Sequence, residues 1–213
     1  MEITVLKDVI NRNNNIAQEN RELLKQTKTR LVNMISSPGA GKTTLLEKTL
    51  PILLKSLRIA IVEGDAYTSR DAERLQIFDI PIVQINTEGA CHLDSNSINH
   101  ALKQFNLYEI DVVLVENIGN LICPAHFDLG EEFRIAVLST TEGDDKPIKY
   151  PMLFRDAKAL VLNKIDLLPY IDFRKDELLS DVRKINPYIT IFETSATKNE
   201  GIEEWAEWLK NQL

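Results

Sequence analysis

The sequence predicts an α/β fold, in which helices flank a mostly parallel β-sheet of about seven strands. Two observations predict it. Short apolar runs typical of strands recur along the chain, and helical patterns fall between most of them, which is the order expected of a parallel sheet. Some runs, such as residues 112–115, are apolar at every position. A continuous apolar run is typical of a strand buried on both faces, so helices should cover both sides of the sheet.

The strand-like runs and the helical patterns can be placed one by one. The strand-like runs lie at 31–35, 58–63, 81–85, 111–116, 134–139, 158–163 and 189–193. The helical patterns lie at 43–56, 69–78, 94–105, 172–185 and 201–212. Pro187 and Gly201 mark the ends of elements, because both residue types interrupt regular structure. Together these elements form one predicted domain over residues 31–213.

Residues 1–30 differ from the rest of the chain because they are polar and contain neither Gly nor Pro. Their apolar residues are spaced loosely, like the stripe of a helix. They are Leu6, Val9, Ile10, Ile16, Leu23 and Leu24. The run Asn13-Asn14-Asn15 interrupts this stripe, and Asn is a weak helix former. We therefore predict an N-terminal helical extension over residues 1–30 that precedes the domain.

Charge and composition narrow the class of protein. The net charge of −7 argues against a nucleic-acid backbone as the main partner. The chain has only two cysteines, Cys91 and Cys123, which is too few for a disulfide scaffold and fits a reducing compartment. The N-terminal residues lack a signal-peptide pattern, and no apolar run approaches the roughly 20 residues needed to span a bilayer. We expect a cytoplasmic protein without nucleic-acid or membrane partners.

A glycine-containing turn joins the first strand of the predicted domain to its first helix. In such a turn, consecutive backbone N–H groups curl around phosphate oxygens, and the helix points its positive dipole end at the same anion. In this turn, Lys42 can reach the β- and γ-phosphates, and the hydroxyl of Thr43 can bind Mg²⁺. The generic pattern has Gly where this chain has Ser36, which makes the match slightly less specific. The turn predicts a P-loop whose nucleotide-binding residues are Ser37, Gly39, Ala40, Gly41, Lys42, Thr43 and Thr44.

Three other strands of the predicted sheet are also followed by polar or glycine-containing segments. In an open α/β sheet, ligands bind beyond the carboxyl ends of the strands, so this edge is the predicted ligand-binding rim. Glu116 takes the place of an acidic residue that supports Mg²⁺, and Gly119 that of a glycine that senses the γ-phosphate. No Gln follows this glycine, so we expect Asp65 to orient the attacking water, with Asp71 as the alternative. Asp71 has an equally good explanation as an acid in the first turn of a helix. The candidate catalytic residues are Lys42, Asp65 and Glu116.

The segment Asn163-Lys164-Ile165-Asp166 predicts recognition of guanine. An ionised carboxylate is a pure acceptor, so Asp166 can accept both N–H donors on the N1/N2 edge of guanine. Adenine lacks this pair of donors and would leave the buried carboxylate unpaired. The stem of Lys164 can cover the base, and Asn163 can brace the loop. Ser195-Ala196 resembles the short loop whose backbone N–H reads guanine O6. GTP is therefore the predicted nucleotide.

Cys91-His92 and Cys123 form a candidate metal site. Thiolate and imidazole are ligands for Zn²⁺ and Ni²⁺, although two cysteines in such a chain are ordinarily buried free thiols. Both cysteines lie on the predicted ligand-binding rim, and one is beside a histidine. Three ligands leave a tetrahedral site one short, which indicates a transferable metal or completion across a twofold axis. His100 and His126 are either auxiliary ligands or ordinary surface residues.

Taken together, these segments resemble the hydrogenase maturation GTPases of the nickel incorporation family, which are P-loop GTPases of the SIMIBI class. The resemblance covers residues 31–212, and its most specific blocks are Cys91-His92-Leu93-Asp94 and the segment from Glu116 to Pro124. It implies a GTPase that couples GTP binding and hydrolysis to delivery of nickel to a [NiFe]-hydrogenase large subunit. It also implies a homodimer bridged by nucleotide and metal, and a small zinc-containing nickel chaperone that docks near the N-terminus. Some members carry an N-terminal Cys-rich or His-rich nickel motif, but residues 1–30 contain neither Cys nor His.

Three alternatives stay open at this point. The urease-maturation GTPase has the same fold, but its metal motif is Cys-Pro-His, whereas this chain has Cys123-Pro124-Ala125-His126. A small-molecule kinase would use the P-loop but would need neither the guanine-reading segment nor cysteines on the rim. In a passive nickel or zinc carrier, GTP binding would be vestigial.

The charge-rich loop 141–150 contains Lys146 and Lys149. One of these lysines is expected to reach the nucleotide of the partner subunit, unless this loop is simply solvated.

Overall fold

The computed structural model describes residues 8–65 and 69–213, except for the side chains of Asp8 and Val9. Leu6 of the predicted N-terminal stripe lies outside the described residues. Within them, seven strands form one sheet of order β3-β2-β4-β1-β5-β6-β7, in which every neighbouring pair is parallel. The predicted fold class is confirmed. The strands are β1 (Arg30–Ser36), β2 (Ile59–Asp65), β3 (Ile82–Asn86), β4 (Val112–Glu116), β5 (Phe133–Ser139), β6 (Ala157–Asn163) and β7 (Thr190–Glu193).

Nine α-helices occur in the part of the chain that is described. The sequence did not predict α5, α6 and α7, because helices of four to six residues are too short to display a repeating apolar stripe. The helices are α1 (Asp8–Thr27), α2 (Lys42–Leu53), α3 (Arg70–Leu75), α4 (Ser95–Leu102), α5 (Cys123–His126), α6 (Lys146–Lys149), α7 (Pro151–Asp156), α8 (Lys175–Ile185) and α9 (Ile202–Gln212). No helix among the described residues is both long and apolar enough to cross a lipid bilayer.

Strand β4 explains why helices cover both faces of the sheet. Its side chains alternate between the faces, as they must in any strand. Val112 and Leu114 pack in one core cluster with residues of α2 and α9, whereas Val113 and Val115 pack in a second cluster with residues of α1 and α4. All five residues of this strand are buried. The continuous apolar run in the sequence therefore corresponds to a central strand covered on both sides.

Helix α1 runs without interruption through Asn13-Asn14-Asn15, where the sequence indicated a break in the helical stripe. The helix packs against α4. Asn20 is fully buried in this contact, and its Nδ2 donates to the carbonyls of Ser95 and Leu129, both at 2.9 Å. The weak helix propensity of Asn is thus overridden by tertiary hydrogen bonds, which a pattern of apolar residues does not reveal.

The parallel strands bring the functional segments to one edge of the sheet. The P-loop connects β1 to α2, and β4 and β5 flank β1 in the sheet. The ends of β2, β4 and β6 lead into the other polar segments that the sequence singled out. Since all strands run in the same direction, their carboxyl ends share one rim, where ligands bind in open α/β sheets.

Candidate nucleotide and metal sites

The P-loop is held in shape by the segment after β6, which the sequence predicts to read guanine. Gly39 and Gly41 have φ angles of 75° and 92°, which L side chains rarely adopt. A Cβ on Gly41 would also lie 2.7 Å from Nδ2 of Asn163. Asn163 Nδ2 donates to the Ala40 carbonyl at 3.0 Å, and Lys164 Nζ donates to the Gly39 carbonyl at 2.6 Å. The loop after β6 therefore packs directly on the P-loop and fixes its backbone.

Lys42, the lysine of the P-loop, donates a hydrogen bond to another side chain of the same loop. Lys42 is 8% exposed, and its Nζ donates to Oγ of Ser36 at 2.7 Å. Ser36 is the residue that stands where the generic pattern has Gly. Its hydroxyl therefore supplies a buried acceptor for the ammonium group, a role that the motif alone does not indicate.

Thr43 and Glu116 meet beneath the P-loop. Oγ1 of Thr43 donates to Oε1 of Glu116 at 2.8 Å, while Oε2 of Glu116 is buried and makes no hydrogen bond. Burial raises the pKa of Glu116, and the nearby Lys42 opposes this rise. A buried carboxylate oxygen without a partner is costly unless a cation or a donor approaches it. The geometry therefore leaves room for a cation beside Thr43.

Glu63 is a second buried acid at this rim, and the sequence analysis gave it no role. Burial raises its pKa to about 9, with a further contribution from the charge of Glu116, and its Oε2 also makes no hydrogen bond. Glu63, Asp65 and Asp71 place ligand oxygens within 4.8 Å of one another. All these ligand atoms are oxygens, the type that Mg²⁺ prefers. The residues present therefore fit Mg²⁺, and the position of Glu63 at the end of β2 was the only sequence signal for it.

A cavity of about 580 Å³ joins the P-loop to these acids. Gly119 bounds it closely, since a Cβ there would lie 2.7 Å from Cα of Pro38. Arg74 also lines it and was not predicted. Its guanidinium donates to both carboxylate oxygens of Glu47, at 3.0 and 2.7 Å, and to Oγ1 of Thr44 at 3.0 Å. The lining residues are Pro38, Gly39, Gly41, Lys42, Thr43, Thr44, Glu63, Gly64, Asp65, Asp71, Arg74, Glu116, Asn117, Ile118, Gly119 and Lys164.

The loops after β6 and β7 are joined by side chains. Oδ1 of Asp166 accepts the hydroxyl of Ser195 at 2.6 Å, so the carboxylate has a fixed orientation. Oδ1 of Asn163 accepts Oγ1 of Thr194 at 3.2 Å and the N–H of Ala196 at 3.1 Å. The Ala196 N–H, predicted to read guanine O6, thus donates to Asn163 in this structure. A bound base would have to share or replace that acceptor.

The three candidate metal ligands converge. Cys91, His92 and Cys123 place ligand atoms within 4.8 Å of one another, and Cys91 is exposed. The His92 ring stacks on Phe127, with the ring centroids 3.8 Å apart. Burial lowers the pKa of His92, which favours the neutral imidazole that binds metals. The thiol of Cys91 hydrogen-bonds to Cys123 and raises its pKa, so a metal would have to displace thiol protons.

The other candidate residues lie outside this cluster. Among the described residues, the ligand group around Cys91 includes neither His100 nor His126, and both are exposed. Lys146 and Lys149 belong to α6 and both form ion pairs with Asp145. Neither lysine lines the cavity beside the P-loop.

Comparison with known proteins identifies close relatives over nearly the whole chain. The family model of the CobW/HypB/UreG nucleotide-binding domain matches residues 30–193. The hydrogenase maturation factor HypB of Escherichia coli (strain K12) is 45% identical over 205 residues, which cover 96% of this chain and 71% of that protein. The crystal structure of HypB from Archaeoglobus fulgidus is 38% identical, with a TM-score of 0.87, covering 94% of this chain and 98% of that one. The crystal structure of HypB from Helicobacter pylori in complex with nickel is 35% identical, with a TM-score of 0.88, covering 94% of this chain and 96% of that one.

Proposed function

Because the chain belongs to the CobW/HypB/UreG family and, within it, to the HypB hydrogenase maturation factors, we propose that it is a metal-binding GTPase that delivers nickel during maturation of a [NiFe]-hydrogenase. One observation carries the proposal. The cluster of Cys91, His92 and Cys123 lies on segments that leave the nucleotide rim, and Cys123 follows Gly119 by only four residues. The nickel complex of the Helicobacter pylori relative supports nickel as the cargo.

The residues around the cavity have separable roles in GTP hydrolysis. Lys42 exchanges Ser36 for the β- and γ-phosphates and neutralises their charge. Thr43, Glu116 and Glu63 would hold Mg²⁺, which would supply further charge neutralisation on the phosphates. Asp65 orients the attacking water at the end of β2. Removing one preorganised charged group of this kind typically costs 10²–10³ in turnover, or about 3–4 kcal/mol.

Nucleotide and metal are coupled through a short covalent path. Four extended residues span at most about 14 Å, so a shift at Gly119 reaches Cys123 directly. Contacts to a γ-phosphate order such segments, and hydrolysis releases them. GTP therefore changes the position of Cys123 relative to Cys91 and His92, and with it the affinity for nickel. By linkage, nickel changes the affinity for GTP by the same factor.

The remaining parts of the function concern partners. We infer a cytoplasmic homodimer bridged by nucleotide and metal, in which Lys146 or Lys149 contacts the nucleotide of the second subunit. Nickel is the transferred metal, and Zn²⁺ is a second ion that the same thiolate and imidazole ligands accept. A small zinc-containing nickel chaperone supplies the metal near the N-terminus, and a hydrogenase large subunit receives it.

The decisive test measures nickel affinity by titration in the presence of GDP and of a non-hydrolysable GTP analogue. The expected result is a difference of at least about fivefold, the lower end of ordinary coupling energies. Cys123→Ala should lose nickel stoichiometry at this site in both nucleotide states and retain GDP binding. Equal nickel affinities in the two states of the wild-type protein would leave two adjacent but independent sites and would overturn the proposal.

A further inference from the structure

Helix α1 joins the two segments that carry the candidate metal ligands, the loop before α4 and the segment that begins with α5. Asn13 of this helix is 6% exposed. Its Oδ1 accepts the backbone N–H of Ser95 at 2.9 Å, and its Nδ2 donates to the carbonyl of Asp128 at 2.7 Å. Ser95 follows His92 by three residues, and Asp128 follows Cys123 by five. A single amide therefore spans the segments that lead away from the two halves of the cluster.

A second layer of contacts ties the same segments to α1. The hydroxyl of Ser95 donates to the carbonyl of Asn13 at 2.7 Å. Gly130 has a φ angle of 88°, and a Cβ there would lie 2.6 Å from the carbonyl oxygen of Ala17. The segment after Cys123 therefore lies directly against the helix backbone. Phe127, in the segment after Cys123, stacks on the ring of His92, so the two segments also contact each other beside the metal cluster.

The hydrogen-bonding groups of the Asn13 amide can fix the separation of the two segments that it contacts. A buried amide is unfavourable unless each of its groups finds a partner, and Asn lowers helix stability where it lies in a helix interior. Asn13 satisfies a donor at the start of α4 and an acceptor in the segment after α5, so its hydrogen bonds are made only when these two segments lie at one separation. An apolar residue could fill the space but would not define this separation.

On the basis of the proposed metal site, we propose that Asn13 is a positioning residue for metal binding. It holds the loop of Cys91 and His92 against the segment of Cys123 at the distance where the three ligand atoms converge. Loss of this amide should loosen the cluster without touching the nucleotide pocket. Asn13 thereby gives α1 a role in the metal chemistry that the ligand motifs do not reveal.

The test compares Asn13→Ala with two controls in the whole chain. Asn14→Ala changes an exposed residue of the same type at the next position of α1. Asn186→Ala removes a side chain that donates to the Phe154 and Ala157 carbonyls, at 3.0 and 2.9 Å, on elements without metal ligands. It controls for general loss of stability. Asn13→Asp is the variant of nearly the same shape, because it keeps the acceptor for Ser95 but places a second acceptor against the Asp128 carbonyl.

Two readouts are needed. The first is nickel affinity together with the thiolate-to-nickel charge-transfer absorption, and we expect Asn13→Ala to lower the affinity about 10-fold, as loss of ligand-orienting groups does. The second needs no metal. It is the rate at which diamide, a two-electron oxidant, joins Cys91 and Cys123 in a disulfide as both thiols lose their protons. This rate should fall in Asn13→Ala and Asn13→Asp, and stay at the wild-type value in both controls.

The two readouts separate the inference from the proposed function. If wild type and Cys123→Ala bound nickel equally, the metal site would be wrong, yet the disulfide rate would still test Asn13. Equal disulfide rates in wild type and in both Asn13 variants would overturn the inference, whatever the nickel titrations gave. A slowed rate in Asn186→Ala, matched to its loss of thermal stability, would also overturn it, because the effect would then be structural.

Discussion

Asp166 has one contact in the structure and one contact predicted from the sequence, and a change of one atom can separate them. Oδ1 accepts the hydroxyl of Ser195, and the sequence predicts that the carboxylate also accepts the donors on the N1/N2 edge of guanine. Asp166→Asn keeps an acceptor for Ser195 but replaces the other acceptor by an N–H₂ donor. Guanine has donors on this edge, so GTP binding should weaken by on the order of 2–4 kcal/mol. Xanthine carries an acceptor in place of the guanine N2–H₂, so XTP binding should improve.

The measurement is a competition titration of GTP, XTP and ATP against a fluorescent nucleotide. Asp172→Asn is the matched control, since Asp172 is an exposed residue six positions further along the chain. It should leave the order of affinities unchanged. If Asp166→Asn bound GTP as tightly as wild type did, the assignment of guanine recognition to this residue would be incorrect.

Residue roles follow from the sequence where a motif fixes both the residue type and its place. Lys42 and Asp166 belong to such motifs. Ser36 and Glu63 do not, because what matters at Ser36 is a hydrogen bond across the folded loop, and what matters at Glu63 is the burial that only the folded sheet creates. The hydroxyl of Ser36 faces Lys42, and the carboxylate of Glu63 gains its raised pKa, about 9, from burial beside β4. Neither effect leaves a pattern in the sequence.

At the scale of elements, Arg74 ties α3 to α2. Its guanidinium reaches the carboxylate of Glu47 and the hydroxyl of Thr44, and it also donates to Asp71 at 3.2 Å. The Arg74 side chain is 41% exposed, so this contact adds under about 1 kcal/mol to stability. Its positive charge, however, lies beside a cavity lined by acids. Arg74→Ala should therefore lower the affinity for the Mg²⁺ complex of a GTP analogue about 10-fold, or about 1.4 kcal/mol.

Arg58 offers a matched control at the opposite end of β2. It pairs with both oxygens of Asp111, at 3.1 and 2.6 Å, and precedes the strand whose carboxyl end carries the acids. Arg58→Ala should reduce the melting temperature about as much as Arg74→Ala and leave nucleotide affinity unchanged in calorimetric titration. Equal affinity losses in the two variants would mean that Arg74 contributes only net charge.

Elements with a long enough repeat were predictable, and elements defined by single contacts were not. The apolar runs placed all seven strands, because burial on two faces requires apolar residues at nearly every position of a strand such as β4. Helices α5, α6 and α7 each make fewer than two full turns and begin near a proline, so they carry no stripe. The continuity of α1 through Asn13 depends on partners in other loops, which one sequence does not identify.

At the scale of the whole molecule, the metal cluster and the surface around it offer a place where the proposed dimer would form. Cys91 is exposed, and three ligands leave a tetrahedral site incomplete. Near Cys123 a groove lined by Ile122, His126 and Lys149 leaves Ile122 51% exposed. A second copy could complete the metal shell and cover this isoleucine in one contact. A twofold axis would place the same residues on both sides.

Electrostatics sets the conditions under which that contact forms. Each copy carries a net charge of −7, so two copies repel each other at long range. Nickel and screening salt should therefore both increase the fraction of dimer. We predict that the dimer fraction rises with nickel in the presence of a GTP analogue, and rises further between 0.01 and 0.15 M salt, as the Debye length falls from about 30 to about 8 Å. Cys123→Ala should abolish the response to nickel and keep the response to salt.

The control is His100→Ala, which alters an exposed histidine outside the cluster and should keep both responses. Sedimentation velocity measures the dimer fraction directly, and a nickel response that survives in Cys123→Ala would place the metal bridge elsewhere on the surface.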